Sequence, residues 1–142
     1  MSEYISHSPE DTEKIGADFA KTLKQGDVIA FTGDLGAGKT AFSRGILYGL
    51  GYKGRVTSPT FAIANEYHTD LFDVVHFDMY RILDEQALFE LGFDEYLDSK
   101  RIILIEWSEN ITNALPDHKL VSIKYGTEPD DRIITIIEEV HV

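Results

Sequence analysis

Gly33-Asp34-Leu35-Gly36-Ala37-Gly38-Lys39-Thr40 satisfies the phosphate-binding loop pattern G-x-x-x-x-G-K-[ST] at every fixed position, and its two flanks decide the fold. Asp27-Val28-Ile29-Ala30-Phe31-Thr32 enters the loop with the composition of a strand. From Thr40 to Leu50 the chain leaves it with helical spacing, Phe42, Ile46, Leu47 and Leu50 sharing one face. Strand, glycine-rich loop and helix follow in the order that phosphate binding requires. Gly33, Gly36 and Gly38 can turn consecutive N–H groups inward around phosphate oxygens, and the new helix adds its positive N-terminal end. Lys39 would reach the β- and γ-phosphates and the Thr40 hydroxyl would ligate Mg²⁺. The stretch therefore points to a nucleoside triphosphate.

Upstream, Ser8-Pro9-Glu10-Asp11 reads as a helix start, with Ser8 as N-cap, Pro9 at the first helical position and acids in the first turn. Ile15, Phe19 and Leu23 continue it as a buried stripe, which predicts a helix over residues 9–24 with Gly26 as its C-cap. Tyr4-Ile5-Ser6 before it reads as an edge strand. Downstream, Val56-Thr57-Ser58-Pro59-Thr60 is too polar and turn-rich for core and reads as an ordered functional loop. Residues 61–67 and 74–77 form one predicted hairpin, and residues 120–125 and 132–138 a second. A short helix is expected at 84–91. Arg101-Ile102-Ile103-Leu104-Ile105-Glu106 is the nearly continuous apolar run of a strand buried on both faces. The fold class that results is α/β: a P-loop NTPase-like mixed β-sheet flanked by helices, one compact domain over residues 1–142.

Bulk properties narrow the function. A chain of 142 residues can bury a sizeable core but leaves little room for a separate catalytic domain. No apolar run approaches membrane-spanning length and nothing at the N-terminus resembles a signal peptide, so a cytoplasmic protein without membrane contact is expected. The absence of cysteine excludes disulfides, thiolate metal sites and cysteine nucleophiles. A formal net charge of −12 disfavours a broad electrostatic grip on nucleic acid, so any role near RNA should run through a partner.

Phosphoryl transfer also needs a metal-organising carboxylate and a group that orients the acceptor. Asp78 closes the run Val74-Val75-His76-Phe77 and Glu106 closes the run Ile102 to Ile105; both fall at strand ends, where ligands bind in open α/β sheets. Spacing alone does not rank them. Thr60 is placed to sense a γ-phosphate as a switch residue, although an ordinary turn at a proline explains it equally well. His76 reads as a structural histidine rather than a catalytic base, and His7, His68, His118 and His141 lack metal-ligand spacing. Trp107 reads first as core. No [NT]-K-x-D segment supports guanine, which leaves ATP as the expected nucleotide.

Taken together, the loop, Val56-Thr57-Ser58-Pro59-Thr60-Phe61, Glu66-Tyr67, His76-Phe77-Asp78-Met79-Tyr80-Arg81 and Ile105-Glu106-Trp107 resemble the TsaE family over nearly the whole chain. The family consists of bacterial P-loop ATPases required for threonylcarbamoyladenosine at position 37 of tRNAs. The resemblance implies binding and slow hydrolysis of ATP with Mg²⁺, in association with the TsaB and TsaD proteins, tRNA being met only through that complex. It also implies a nucleotide site of Gly33, Asp34, Leu35, Gly36, Ala37, Gly38, Lys39, Thr40 and Ala41, with the segment from Ser8 to Thr12 near the adenine and Trp107 as the motif tryptophan. Lys39, Thr60, Asp78 and Glu106 become the catalytic set, and Thr40, Asp78 and Glu106 the metal-organising one. A small-molecule kinase and a nucleotide-dependent binding module are the competing readings. The first lacks an obvious basic lid between Tyr80 and Lys100.

Overall fold

Val28–Gly33, the apolar run that feeds the loop, is the central strand of a seven-stranded sheet. The computed structural model describes residues 1–34, 38–56, 64–78, 92–97, 100–106 and 115–141. In chain order these form β1 (Ser2–Ser6), α1 (Pro9–Ala20), β2 (Val28–Gly33), α2 (Lys39–Gly49), β3 (Ala64–His68), β4 (Asp73–Asp78), α3 (Phe93–Leu97), β5 (Ile102–Glu106), β6 (His118–Tyr125) and β7 (Arg132–Val140). Across the sheet the order is β1-β7-β6-β2-β5-β4-β3. The middle four strands are parallel, while β7 and β3 run antiparallel to the strands beside them.

Burial explains that division. All five residues of β5 and the first four of β2 are buried, as parallel strands covered on both faces must be. The two predicted hairpins form, β3–β4 and β6–β7, each closed by a short turn. In the first, the Thr69 hydroxyl accepts from Phe72 N at 3.0 Å. In the second, Gly126 N donates to Asp131 O at 2.9 Å. β1 adds an edge strand by pairing antiparallel with β7, as expected for Tyr4 to Ser6.

One face of the sheet, with Phe31, Leu104, Val74 and Ile123, packs on Phe19, Phe42, Ile46 and Leu47 of α1 and α2. On the other face, Val75, Phe77, Ile103 and Ile105 meet Phe93 and Leu115, with the Phe77 and Phe93 rings edge-on at 5.3 Å. Among the described residues, β-strand alternation thus sorts the apolar side chains into two layers around one sheet.

α1 begins as expected: Ser8 accepts from Asp11 N at 3.1 Å and Pro9 opens the helix. It ends at Ala20, earlier than the predicted residue 24. The Thr22 hydroxyl takes the Phe19 carbonyl at 2.8 Å, and tight turns at Thr22 and Leu23 close the helix before Gly26. With φ of 87°, Gly26 instead serves the turn into β2. The expected helix over 84–91 lies outside the described residues.

α1 and α2 meet along glycines. A Cβ on Gly45 would collide with the Glu13 carbonyl, one on Gly16 with the Phe42 carbonyl, and one on Gly49 would stand 2.7 Å from Ala17 O. The two backbones touch directly, so the N-terminal turn of α1 is held against the helix that follows the phosphate loop.

Candidate active site

The loop is tied down at both described ends. At its entry Gly33 has φ of 122° and lies so close to β6 that a Cβ would strike the Ile123 carbonyl. Asp34 N donates to that carbonyl at 3.0 Å, and Asp34 Oδ2 accepts from Tyr125 N at 2.9 Å. The Asp34 side chain therefore anchors the loop to β6. At its exit Gly38 adopts φ 109°, ψ 18°, a left-handed conformation that favours glycine. Having no side chain, it cannot cap α2, whose first helical bond is Phe42 N to Gly38 O at 3.0 Å. An uncapped helix N-terminus beside a glycine loop is suited to an anion.

Lys39 opens α2 and is only 6% exposed. A buried ammonium is tolerated only with anionic or hydrogen-bonding company. Thr40 is half-buried and Ala41 buried in the same turn. Thr12, in the first turn of α1, is buried, with its hydroxyl 2.7 Å from Ser6 Oγ. Its methyl lies 3.8 Å from the place a Cβ on Gly38 would occupy. α1 thus abuts the end of the phosphate loop through Thr12.

Asp78 and Glu106 are register partners, the last residues of the parallel neighbours β4 and β5. Val74, Ile102 and Leu104, an even number of positions earlier, pack with α2 residues. By strand alternation both carboxylates therefore stand on the α2 side of the sheet. Their surroundings differ. Asp78 is half-buried, whereas Glu106 is buried with Oε2 2.7 Å from His76 Nε2. That histidine pairing escaped the sequence reading; its signal was a polar residue two positions before Asp78, on the same face of an otherwise apolar strand.

On the other flank of β2, His7 Nδ1 lies 2.8 Å from Asp131 Oδ1. The hydrogen bond to Asp131 raises the His7 imidazole above its ordinary value, and the same bond lowers the Asp131 carboxyl. The Arg132 guanidinium sits 5.0 Å from the centre of the Tyr125 ring. Leu35, Gly36, Ala37, Thr60 and Trp107 lie outside the described residues. A groove of about 370 Å³, lined in part by Lys24, Asp27, Asp117 and Glu139, occupies the opposite end of the sheet, where β2 and β6 begin.

No trio of His, Asp and Glu side chains is gathered to hold a metal among the described residues. Magnesium does not need one. It is commonly held by one or two carboxylates together with a hydroxyl and substrate phosphates, and the oxygen donors Thr40, Asp78 and Glu106 fit that chemistry.

The arrangement defines a class, the α/β proteins with a P-loop NTPase-like fold. Residues 6–134 match the family model described as "Threonylcarbamoyl adenosine biosynthesis protein TsaE". The tRNA threonylcarbamoyladenosine biosynthesis protein TsaE of Bacillus subtilis is 41% identical over 128 residues, covering 90% of this chain and 80% of that one. The protein of the same name from Treponema pallidum is 35% identical over 132 residues, covering 93% and 97%. The crystal structure of Bacillus subtilis YdiB matches with a TM-score of 0.79 at 35% identity, over 96% of this chain and 84% of that one. The chain belongs to the TsaE family. No helix among the described residues is long and apolar enough to cross a membrane.

Proposed function

We propose that this protein binds and hydrolyses ATP with Mg²⁺ as a cytoplasmic accessory subunit in the formation of threonylcarbamoyladenosine at position 37 of tRNAs, acting with TsaB and TsaD. The observation that carries the reading is the register of Asp78 with Glu106 on the sheet face covered by α2, beside a helix that opens on a buried lysine. That placement brings cation, hydroxyl and carboxylates to one edge of the sheet.

Catalysis would be positioning and charge stabilisation rather than covalent chemistry. The loop amides and Lys39 hold the β- and γ-phosphates. Thr40 and one of the two carboxylates hold Mg²⁺, which when bound supplies neutralisation of phosphate charge. The other carboxylate orients the attacking water, and Asp34 keeps the loop entry against β6 while this happens. Thr60 and Trp107 complete the proposed set. The net charge of −12 supports contact with tRNA through the partner proteins rather than directly.

The test is a pull-down with TsaB and TsaD, with and without ATP, followed by the tRNA modification assay. Wild type should associate and support modification, and folded Lys39→Ala should associate without supporting it. No association under either condition would overturn the assignment of partners. Full modification by Lys39→Ala would overturn the role of hydrolysis.

A further inference from the structure

We propose that His76 is a positioning residue for Glu106: its Nε2–H donates to the carboxylate and holds it in the orientation that magnesium nucleotide binding requires. The inference rests on the reading that Glu106 serves the nucleotide site, and it gives a role to a histidine that the sequence reads as structural.

Burial is the first argument. His76 is 0% exposed on a strand face it shares with Val74 and opposite Leu104. An aliphatic side chain would fill such a place without the cost of desolvating an imidazole. Among the described residues the histidine is compensated by the 2.7 Å contact with Glu106 Oε2. Among the described residues its Nδ1 has no hydrogen-bond partner. The bond it makes is aimed at a candidate catalytic carboxylate.

Rigidity points the same way. Donor and acceptor stand on adjacent parallel strands whose ladder pairs His76 with Leu104 and Asp78 with Glu106. A glutamate otherwise swings about three side-chain torsions. One short bond from a backbone-fixed ring removes that freedom before the nucleotide arrives, which is how supporting groups tune a ligand-binding carboxylate. A carboxylate that is to hold a cation can only accept a hydrogen bond, so the proposal places the proton of the contact on Nε2.

The experiment compares wild type with His76→Asn, whose amide is too short to reach Glu106, and His76→Gln, whose longer amide restores a donor near the Nε2 position. The probe is a fluorescent N-methylanthraniloyl ATP, titrated first in EDTA and then with increasing Mg²⁺, alongside steady-state phosphate release. In folded His76→Asn we expect unchanged binding in EDTA and a Mg²⁺ requirement raised by about 10–100-fold. Its KM for ATP should rise at limiting Mg²⁺ and fall back as Mg²⁺ is added, and His76→Gln should recover most of the loss. Wild-type Mg²⁺ dependence in His76→Asn overturns the proposal, and so does a folded His76→Gln no better than His76→Asn. If wild type itself shows no Mg²⁺-dependent nucleotide binding, the proposed function fails, and the inference with it. Should His76→Asn not fold, ¹⁵N spectra of the wild-type ring decide: a protonated Nε2 supports the assignment and a bare Nε2 overturns it.

Discussion

Two histidine–carboxylate pairs flank the phosphate loop, one on each side of β2, and by distance they are the same interaction. His76–Glu106 closes to 2.7 Å and His7–Asp131 to 2.8 Å. Exposure separates them: the side chains of the first pair are 0% and 8% exposed, those of the second 68% and 17%. In the exposed pair, water and salt compete for the imidazole, and ion pairs of this kind contribute little to stability. In the buried pair nothing replaces a lost partner, so removing one side strands the other in an apolar layer. Contact length does not rank interactions; the surrounding medium does.

The largest effect that could break this contrast is on catalysis. Glu106→Ala should lower phosphate release by at least about 100-fold in a protein that retains its far-UV circular dichroism, and normal turnover would remove Glu106 from the site. Next comes stability. The same Glu106→Ala leaves His76 without its partner and should cost about 1–3 kcal/mol in urea denaturation, whereas Asp131→Asn should leave the midpoint unmoved. Equal losses in the two variants would erase the distinction between the flanks.

The smallest effect concerns pH. A raised imidazole value means that folding favours protonated His7, a contribution present below the ordinary value of about 6.5 and lost as pH rises through the raised one. A lowered carboxyl means that the Asp131 contribution is present above its ordinary value near 3.8 and is lost as pH falls through the lowered one. The exposed pair is therefore fully formed in the window between those two ordinary values. An NMR titration should place His7 above the ordinary imidazole value. It should return toward that value in Asp131→Asn and in 1 M NaCl, where the screening length is about 3 Å.

What was legible in the sequence was local. The loop, its strand and its helix announce themselves within about twenty residues because glycine conformations and apolar periodicity act over that range. The hairpins were legible for the same reason. The end of α1 was misjudged because Gly26 matches a cap on paper, while a hydroxyl on Thr22 had already taken the Phe19 carbonyl. The pairing of His76 with Glu106 joins residues 30 apart and depends on which strands lie side by side, a property of topology. Alternation could put His76 and Asp78 on one face; it could not bring Glu106 beside them. The buried contact of Ser6 with Thr12 was hidden likewise, since it needs β1 and the start of α1 folded back together.

The glycine seam between α1 and α2 carries a mechanical meaning. Side chains between helices act as springs, because rotamers change and let neighbouring elements slide by fractions of an ångström. At Gly16 and Gly45, where any Cβ would overlap a carbonyl of the other helix, no spring is fitted. Thr12 and Lys39 therefore stand on two helices that meet backbone to backbone. A push on the first turn of α1 would pass to α2, which Lys39 opens, through backbone contact at these glycines rather than through movable side chains.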